Sequence, residues 1–296
     1  MSDLVRRDVP IGVLTTYRVG GAAAWFVEAG SSADLRAASE LVRSRDLPVL
    51  VVGNGSNLLV AEAGFPGLAI VLGDGFAGID IEATAVASGG AARLPVVARR
   101  TAAAGLAGFE WAVGVPGSMG GAVRMNAGGH GSDMAATLRR ARLFDLRTGL
   151  ERVVAPPDLD LGYRRSAVAA HEVVVEAGLE LAAGDRAAAE AEIGEIVRWR
   201  RANQPGGQNT GSVFTNPAGD AAGRLIEAAG AKGLRVGTAQ VSPRHANFVI
   251  ADPGGRADDV YALMVEVRRL VAQRCGVLLE PETHLVGFEP LPEVGE

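Results

Sequence analysis

Two clusters of glycine constrain this chain more than anything else in it. Glycine makes up 40 of 296 residues, and it is gathered rather than spread. The first cluster, Gly53-Asn54-Gly55-Ser56-Asn57, follows the apolar run from Pro48 to Val52. The second, Val115-Pro116-Gly117-Ser118-Met119-Gly120-Gly121-Ala122, is followed at once by Met125-Asn126-Ala127-Gly128-Gly129. Clustered glycine lets backbone turn tightly or lets a ligand come close to it. A strand that runs into such a loop presents several backbone N–H groups in a concave nest, which suits a diphosphate without any basic side chain. The first cluster is not a G-x-G-x-x-G fingerprint, and an ordinary turn is an equally good reading of it alone. The second is read as a loop too; two such loops, each after an apolar strand and in different small domains, point to a long anionic cofactor held between them.

The rest of the chain places these loops in an α+β framework. Ala24 to Val27 reads as a strand, and Ser31 with Asp34 opens a helix whose apolar face is Leu35, Ala38, Leu41 and Val42. From about residue 75 the pattern changes to short strands, Ala85 to Ser88, Arg139 to Asp145 and Val173 to Leu181, with a short helix from Leu94 to Ala104. A helix from Asp185 to Arg201 buries Ile193, Ile196 and Val197, and the Pro/Gly stretch Gln204 to Gln208 breaks it. Beyond lie a short helix, Gly223 to Ala229, and a long one, Ala257 to Cys275, with Val260, Leu263, Met264, Val267, Leu270 and Val271 on one face. Strands at Phe248 to Ala251 and His284 to Gly287 complete the pattern. The expected domains are 1–74, 75–190 and 191–296.

Composition narrows the partners. With 29 Lys and Arg against 34 Asp and Glu, and no long run of like charges, nucleic acid is not an expected partner. Cys275 is the only cysteine, so neither a disulfide nor a thiolate cluster is available, and its expected role is a small apolar residue closing a helix. No leader pattern or long apolar segment is present, so a cytoplasmic protein without membrane contact is expected. His130, His171, His245 and His284 lack metal-ligand spacing, so no metal is expected. His245 reads as a structural hydrogen-bonder, and Trp25, Trp111 and Trp199 as core or domain-contact residues.

Three polar residues are ambiguous when taken singly. Arg164 beside Tyr163 reads by default as a solvated arginine, Ser212 before Asn216-Pro217 as turn chemistry, and Glu282 as a routine carboxylate. No G-x-S-x-G elbow surrounds Ser212, which disfavours a hydrolase.

Read in order, the segments Thr15 to Gly21, Gly53 to Asn57, Val115 to Gly129, Tyr163 to Ser166, Gly211 to Pro217, Ala222 to Ile226, Ser242 to Phe248 and Leu279 to Glu282 resemble the UDP-N-acetylenolpyruvoylglucosamine reductases, from about Thr15 to Gly287. The resemblance implies a two-part FAD-binding unit of the vanillyl-alcohol-oxidase-like (PCMH-type) kind, followed by a C-terminal α+β substrate-binding domain. It implies non-covalent FAD, with Gly53, Asn54, Gly55, Ser56 and Asn57 at its diphosphate and Gly117, Ser118, Gly121, Asn126 and Ala127 along the remainder. Tyr163, Asn216, Asn247 and one of Arg200 or Arg201 are expected at the substrate.

The implied chemistry takes a hydride from NADPH through the flavin to the vinyl carbon of UDP-N-acetylglucosamine enolpyruvate, giving UDP-N-acetylmuramate for peptidoglycan. Arg164 would then pair with the substrate carboxylate, Glu282 would donate a hydrogen bond as a protonated acid, and Ser212 would deliver the proton to carbon. Such an enzyme is expected to act as a monomer on small molecules. Two features depart from the family: the stretch between Arg164 and Ser212 has no room for a Tyr-bearing insertion, and His284 stands where an arginine is usual. The alternatives are a flavin oxidase of the same cofactor fold and a non-catalytic nucleotide-sugar binder. The first is disfavoured because no His precedes His130 and the cysteine lies far away at Cys275, leaving no tether for FAD.

Overall fold

The computed structural model describes residues 4–293; the outermost three residues of the expected domains 1–74 and 191–296 lie outside the described residues. The chain forms two compact units. One comprises the chain up to Arg7, Trp25–Asn54 and Pro66–Ala202; the other comprises Asp8–Ala24, Gly55–Phe65 and the chain from Asn203 onward.

The first helix of the first unit is α1, Ser32–Arg45. Its start is fixed by a reciprocal cap. The Ser31 hydroxyl accepts the Asp34 N–H at 3.3 Å, and the Asp34 carboxylate accepts the Ser31 hydroxyl and the Gly30 N–H, each at 2.9 Å. It stops where Asp46 enters the left-handed region at φ 49°. Leu35, Ala38, Leu41 and Val42 are buried against Val27, Leu68 and Ile70 of a sheet ordered Val5–Pro10, Ala22–Ala29, Phe65–Leu72, Val49–Val52. Burying a leucine such as Leu35 contributes about 2 kcal/mol. The last two strands run parallel, Val49 opposite Leu68 through Val52 opposite Val71, so Val52 delivers the chain directly into the first glycine loop.

A five-stranded antiparallel sheet follows, ordered Glu151–Val154, Leu138–Asp145, Glu172–Glu180, Ala85–Gly89, Ile79–Glu82. Its central strand is apolar over Val173–Val175 because both faces are covered there. Val173 and Val175 point into the α1 core, while Val174, Ala177 and Leu179 point into a second core. That second core also takes Leu94, Val97 and Ala98 of α2, Leu94–Ala103, and Ala189, Ile193 and Ile196 of a later helix.

The second glycine segment departs from its expected form. It is not a loop after a strand: it follows a 3-10 turn, Glu110–Gly114, and from Met119 it is helix α3, Met119–Met125. The Ser118 hydroxyl accepts the Gly121 N–H at 3.3 Å, and Met119, Ala122 and Val123 are buried. A good cap and a buried apolar stripe outweigh the roughly 1 kcal/mol that each glycine costs in a helix. The short α4, Met134–Thr137, and α5, Arg186–Asn203, complete the unit.

The tryptophans divide. Trp111 is buried, and the Trp25 ring is met by the guanidinium groups of Arg7 and Arg45 at 3.7 and 4.8 Å from its centroid. Trp199 is 49 % exposed on α5, edge-to-face with His130, so of its two expected roles the core one is not filled.

In the second unit α6, Ala222–Ala228, packs on α7, Ala257–Cys275, and α7 packs on an antiparallel sheet of Arg235–Val236, Ala239–Val241 and Val249–Ala251. Val260, Leu263, Met264, Val267 and Val271 are buried in its core, whereas Leu270 is only partly buried. Cys275 closes α7 and is also only partly buried. His284–Val286 pairs in parallel with Leu58–Val60. Among the described residues, no helix is long and apolar enough to cross a membrane.

Candidate cofactor and substrate site

In the first unit the start of the first glycine loop meets the second glycine segment. A Cβ built on Gly53 would lie 2.5 Å from the Ser118 hydroxyl, so only glycine fits there unless Ser118 gives way. The Asn54 amide donates to the Pro116 carbonyl at 3.4 Å. The Gly117 carbonyl and the Met119 N–H are tied to Leu94 and Ala92. Gly53, Asn54, Gly117 and Ser118 therefore line one backbone cradle; Ser118 is itself buried, while Gly53 is exposed.

Asn126 ends α3 in the left-handed region at φ 39° and is 3 % exposed. Its amide donates to the Asp133 carboxylate at 3.2 Å and the Gly162 carbonyl at 3.0 Å, and accepts the Ala135 N–H at 2.9 Å. Those bonds join it to the turn that carries Tyr163 and Arg164, closed by reciprocal Gly162 and Arg165 backbone bonds. Arg164 also has positive φ, 57°, its guanidinium stacks over the exposed Tyr163 ring at 4.9 Å, and it donates to the Gly128 carbonyl at 3.2 Å. A non-glycine residue in that region costs about 1–2 kcal/mol, which this set of bonds offsets. Ala127 is held on α3 by its N–H bond to Ala122, and Gly121 is exposed in the first turn.

On the last turn of α5, Arg200 is half-buried and donates to the Gly114 carbonyl, whereas Arg201 is exposed. Burial lowers the pKa of Arg200; burial, and then the Arg200 charge, lower that of His130.

In the second unit Gly55, Ser56 and Asn57 continue the first loop. Gly55 has φ 60°, and a Cβ there would come within 2.3 Å of the Leu14 carbonyl; its own carbonyl accepts the Thr16 N–H at 3.0 Å. Asn57 turns to the other polar segment, its amide donating to the Glu282 carbonyl at 3.0 Å and its carbonyl accepting the His284 N–H at 2.9 Å.

The segments bearing Ser212 and Glu282 are laced together, although 70 positions separate them in sequence. The Val213 carbonyl accepts the Glu282 N–H at 2.8 Å and the Thr283 N–H at 3.3 Å, and Thr215 N–H reaches the Glu280 carbonyl at 2.9 Å. Beneath them the Thr210 and Thr283 hydroxyls lie 3.1 Å apart. Ser212 and Glu282 are both partly exposed on this ladder. Asn216 is exposed, and its amide oxygen accepts the Ala222 N–H at the start of α6, so one of its polar atoms serves as a helix cap. Asn247, expected at the substrate, is 2 % exposed with its amide turned inward on Phe214. His245 behaves as a structural hydrogen-bonder, its Nδ1 accepting the Asn247 N–H at 3.3 Å.

One residue of this unit escapes a sequence reading. Arg268 is 6 % exposed on the apolar face of α7 and donates to the carbonyls of Leu279 and Leu291 at 2.9 and 3.1 Å. It fastens the segment that leads into Glu282. Its only signal in the sequence is an arginine four residues after Met264 and three before Val271.

Comparison with known proteins gives the family. Residues 23–153 match the model of the FAD binding domain, and residues 203–286 match that of the UDP-N-acetylenolpyruvoylglucosamine reductase C-terminal domain. The UDP-N-acetylenolpyruvoylglucosamine reductase of Rubrobacter xylanophilus is 42 % identical over 282 residues, 95 % of this chain and 94 % of that protein. That of Alkalilimnicola ehrlichii is 42 % identical over 96 % of this chain and 95 % of its own length. The crystal structure of the Thermus caldophilus reductase superposes with a TM-score of 0.84 at 35 % identity, covering 95 % of this chain and 99 % of that one. The chain belongs to the UDP-N-acetylenolpyruvoylglucosamine reductase family.

Proposed function

We propose that this chain is an FAD-dependent, NADPH-consuming oxidoreductase that reduces UDP-N-acetylglucosamine enolpyruvate to UDP-N-acetylmuramate, a precursor of peptidoglycan. The residues fit the cofactor: a Cβ on Gly53 would lie 2.5 Å from the Ser118 hydroxyl, so this position is kept free of a side chain, and a glycine loop of backbone N–H groups suits a diphosphate. Gly53 to Asn57 would hold that diphosphate, and Gly117, Ser118, Gly121, Asn126 and Ala127 would line the rest of FAD. When bound, FAD supplies the hydride, received from NADPH and passed to the substrate's vinyl carbon.

The protein's own residues do the remainder. Arg164, oriented by its turn and by Gly128, pairs through its planar fork with the substrate carboxylate, where negative charge grows as the double bond is reduced. Glu282 donates a hydrogen bond to the same group, and Ser212 gives a proton to the carbon beside it. Tyr163, Asn216 and one of Arg200 or Arg201 hold the nucleotide sugar. Residues 1–74 and 75–190 carry the flavin and 191–296 the substrate. The protein works as a monomer in the cytoplasm on small molecules, without nucleic acid or membrane.

The observation that supports this assignment most is the ladder that presents Ser212 and Glu282 from one scaffold. Stopped-flow of the two half-reactions tests it. Ser212→Ala should be bleached by NADPH at nearly the normal rate, while reoxidation by the enolpyruvyl substrate slows by about 10²- to 10⁴-fold, the usual contribution of a positioned acid. Equal slowing of both steps, or of neither, would make Ser212 a turn residue.

A further inference from the structure

The segment carrying Ser212 is gripped from two sides. On one side the Val213 carbonyl takes the N–H groups of Glu282 and Thr283. On the other, Asn247 acts as a complete hydrogen-bonding partner for a single residue. Its amide oxygen accepts the Phe214 N–H at 3.0 Å, its amide nitrogen donates to the Phe214 carbonyl at 2.8 Å, and its own carbonyl accepts the Val213 N–H at 2.9 Å. Asn247 and Phe214 are 2 and 1 % exposed, so water cannot replace these bonds.

A side-chain amide used this way imitates the backbone of a neighbouring strand. It holds the side of the stretch that the Glu282 ladder does not, between Gly211, at φ 82°, and Asn216-Pro217. Glutamine is too long to make both bonds to one residue, and an alanine makes neither. We propose that Asn247 is a positioning residue for the protonation step, holding Ser212 in place through the Phe214 backbone rather than touching the substrate. The proposal rests on Ser212 being the proton donor. That step is sensitive to geometry, since a displacement of about 1 Å can cost as much as ~100-fold in rate.

The test uses the flavin-loaded protein and four variants: Asn247→Ala, Asn247→Asp, Ser212→Ala and Ser212→Ala/Asn247→Ala. Asn247→Asp keeps the acceptor for Phe214 N–H but loses the donor, and it serves if the alanine variant folds poorly. Amide hydrogen exchange across 211–216 is read first, and the Val213 and Phe214 amides of Asn247→Ala should exchange at least about tenfold faster. Bleaching by saturating NADPH should stay within about twofold of normal, while reoxidation by saturating enolpyruvyl substrate slows roughly 10- to 100-fold. In the Ser212→Ala background, removing Asn247 should change reoxidation by no more than about twofold, because the group it positions is already gone.

Equal slowing of both half-reactions, full additivity in the double variant, or unchanged amide exchange would overturn the proposal. So would loss of flavin in both single Asn247 variants, which would make the residue purely structural. If Ser212→Ala alone reoxidises at the normal rate, the proton-donor reading fails and takes this proposal with it. That result is distinct from additivity, in which Ser212 keeps its role and only Asn247 loses it.

Discussion

Glu282 and Ser212 reach the same small ladder from distant parts of the chain, and what each does depends on one hydrogen-bonding group. If Glu282 donates a hydrogen bond to the substrate carboxylate, Glu282→Gln retains a donor and Glu282→Ala does not. The glutamine variant is expected to keep reoxidation within about tenfold of normal, and the alanine variant to lose about 10²- to 10³-fold, as for other removed donors of developing charge. Equal losses would show that the acid's proton is itself consumed. His245 sets a second expectation at this scale. Burial holds its imidazole below the ordinary value, with the Lys232 charge adding to the effect, and its Nδ1 must remain unprotonated to accept the Asn247 N–H. The unfolded chain then binds the proton more readily than the folded one, so this contribution is complete above pH 6.5 and is lost as pH falls through the depressed folded value. Thermal unfolding between pH 7 and 5 should decline less steeply in His245→Gln than in the parent; parallel slopes would assign the acid sensitivity elsewhere.

Elements with regular apolar periods are the part of this fold that the sequence makes legible. The helix expected over Ala257 to Cys275 has those limits, and α1 starts at the cap expected from Ser31 and Asp34. The glycine-rich α3 was hidden because Gly120 and Gly121 lower helix propensity, although Ser118 with Met119, Ala122 and Val123 supplied a cap and a stripe. Arg268 was hidden for the opposite reason, since a long charged side chain on an apolar face reads as surface until its carbonyl partners are known. The candidate site residues stand out chiefly through family resemblance. No period in the sequence announces that Val213 pairs with Glu282, or that Gly20, at φ 105°, fits beneath the Val60 carbonyl. The contact between Gly53 and Ser118 gives a prediction for the cofactor cradle. Gly53→Ala forces a clash that should cost about 1–3 kcal/mol, read as FAD binding weakened roughly 5- to 150-fold. Adding Ser118→Ala leaves an ordinary 3.5 Å contact where the hydroxyl was, so the double variant should bind FAD better than Gly53→Ala alone despite losing the α3 cap. A double variant no better than the single one would locate the steric limit outside this pair.

At the scale of the whole molecule, the chain interleaves its two units. Asp8–Ala24 and Gly55–Phe65 belong with the C-terminal part, so the first glycine loop begins in one unit at Gly53 and ends in the other at Asn57. Within the second unit the end of that loop is fastened to the ladder, since the Asn57 amide donates to the Glu282 carbonyl. The alternatives separate at this scale as well: an oxidase would pass the electrons of reduced flavin to O₂, and a binding protein would never reduce flavin at all. Anaerobic single turnover of the purified, flavin-loaded protein therefore tests the central claim most directly. NADPH should bleach the flavin, and UDP-N-acetylglucosamine enolpyruvate, added without oxygen, should restore the colour and yield one UDP-N-acetylmuramate per flavin reoxidised. Flavin that NADPH leaves coloured, or bleached flavin that recovers its colour only when air is admitted, would contradict the account.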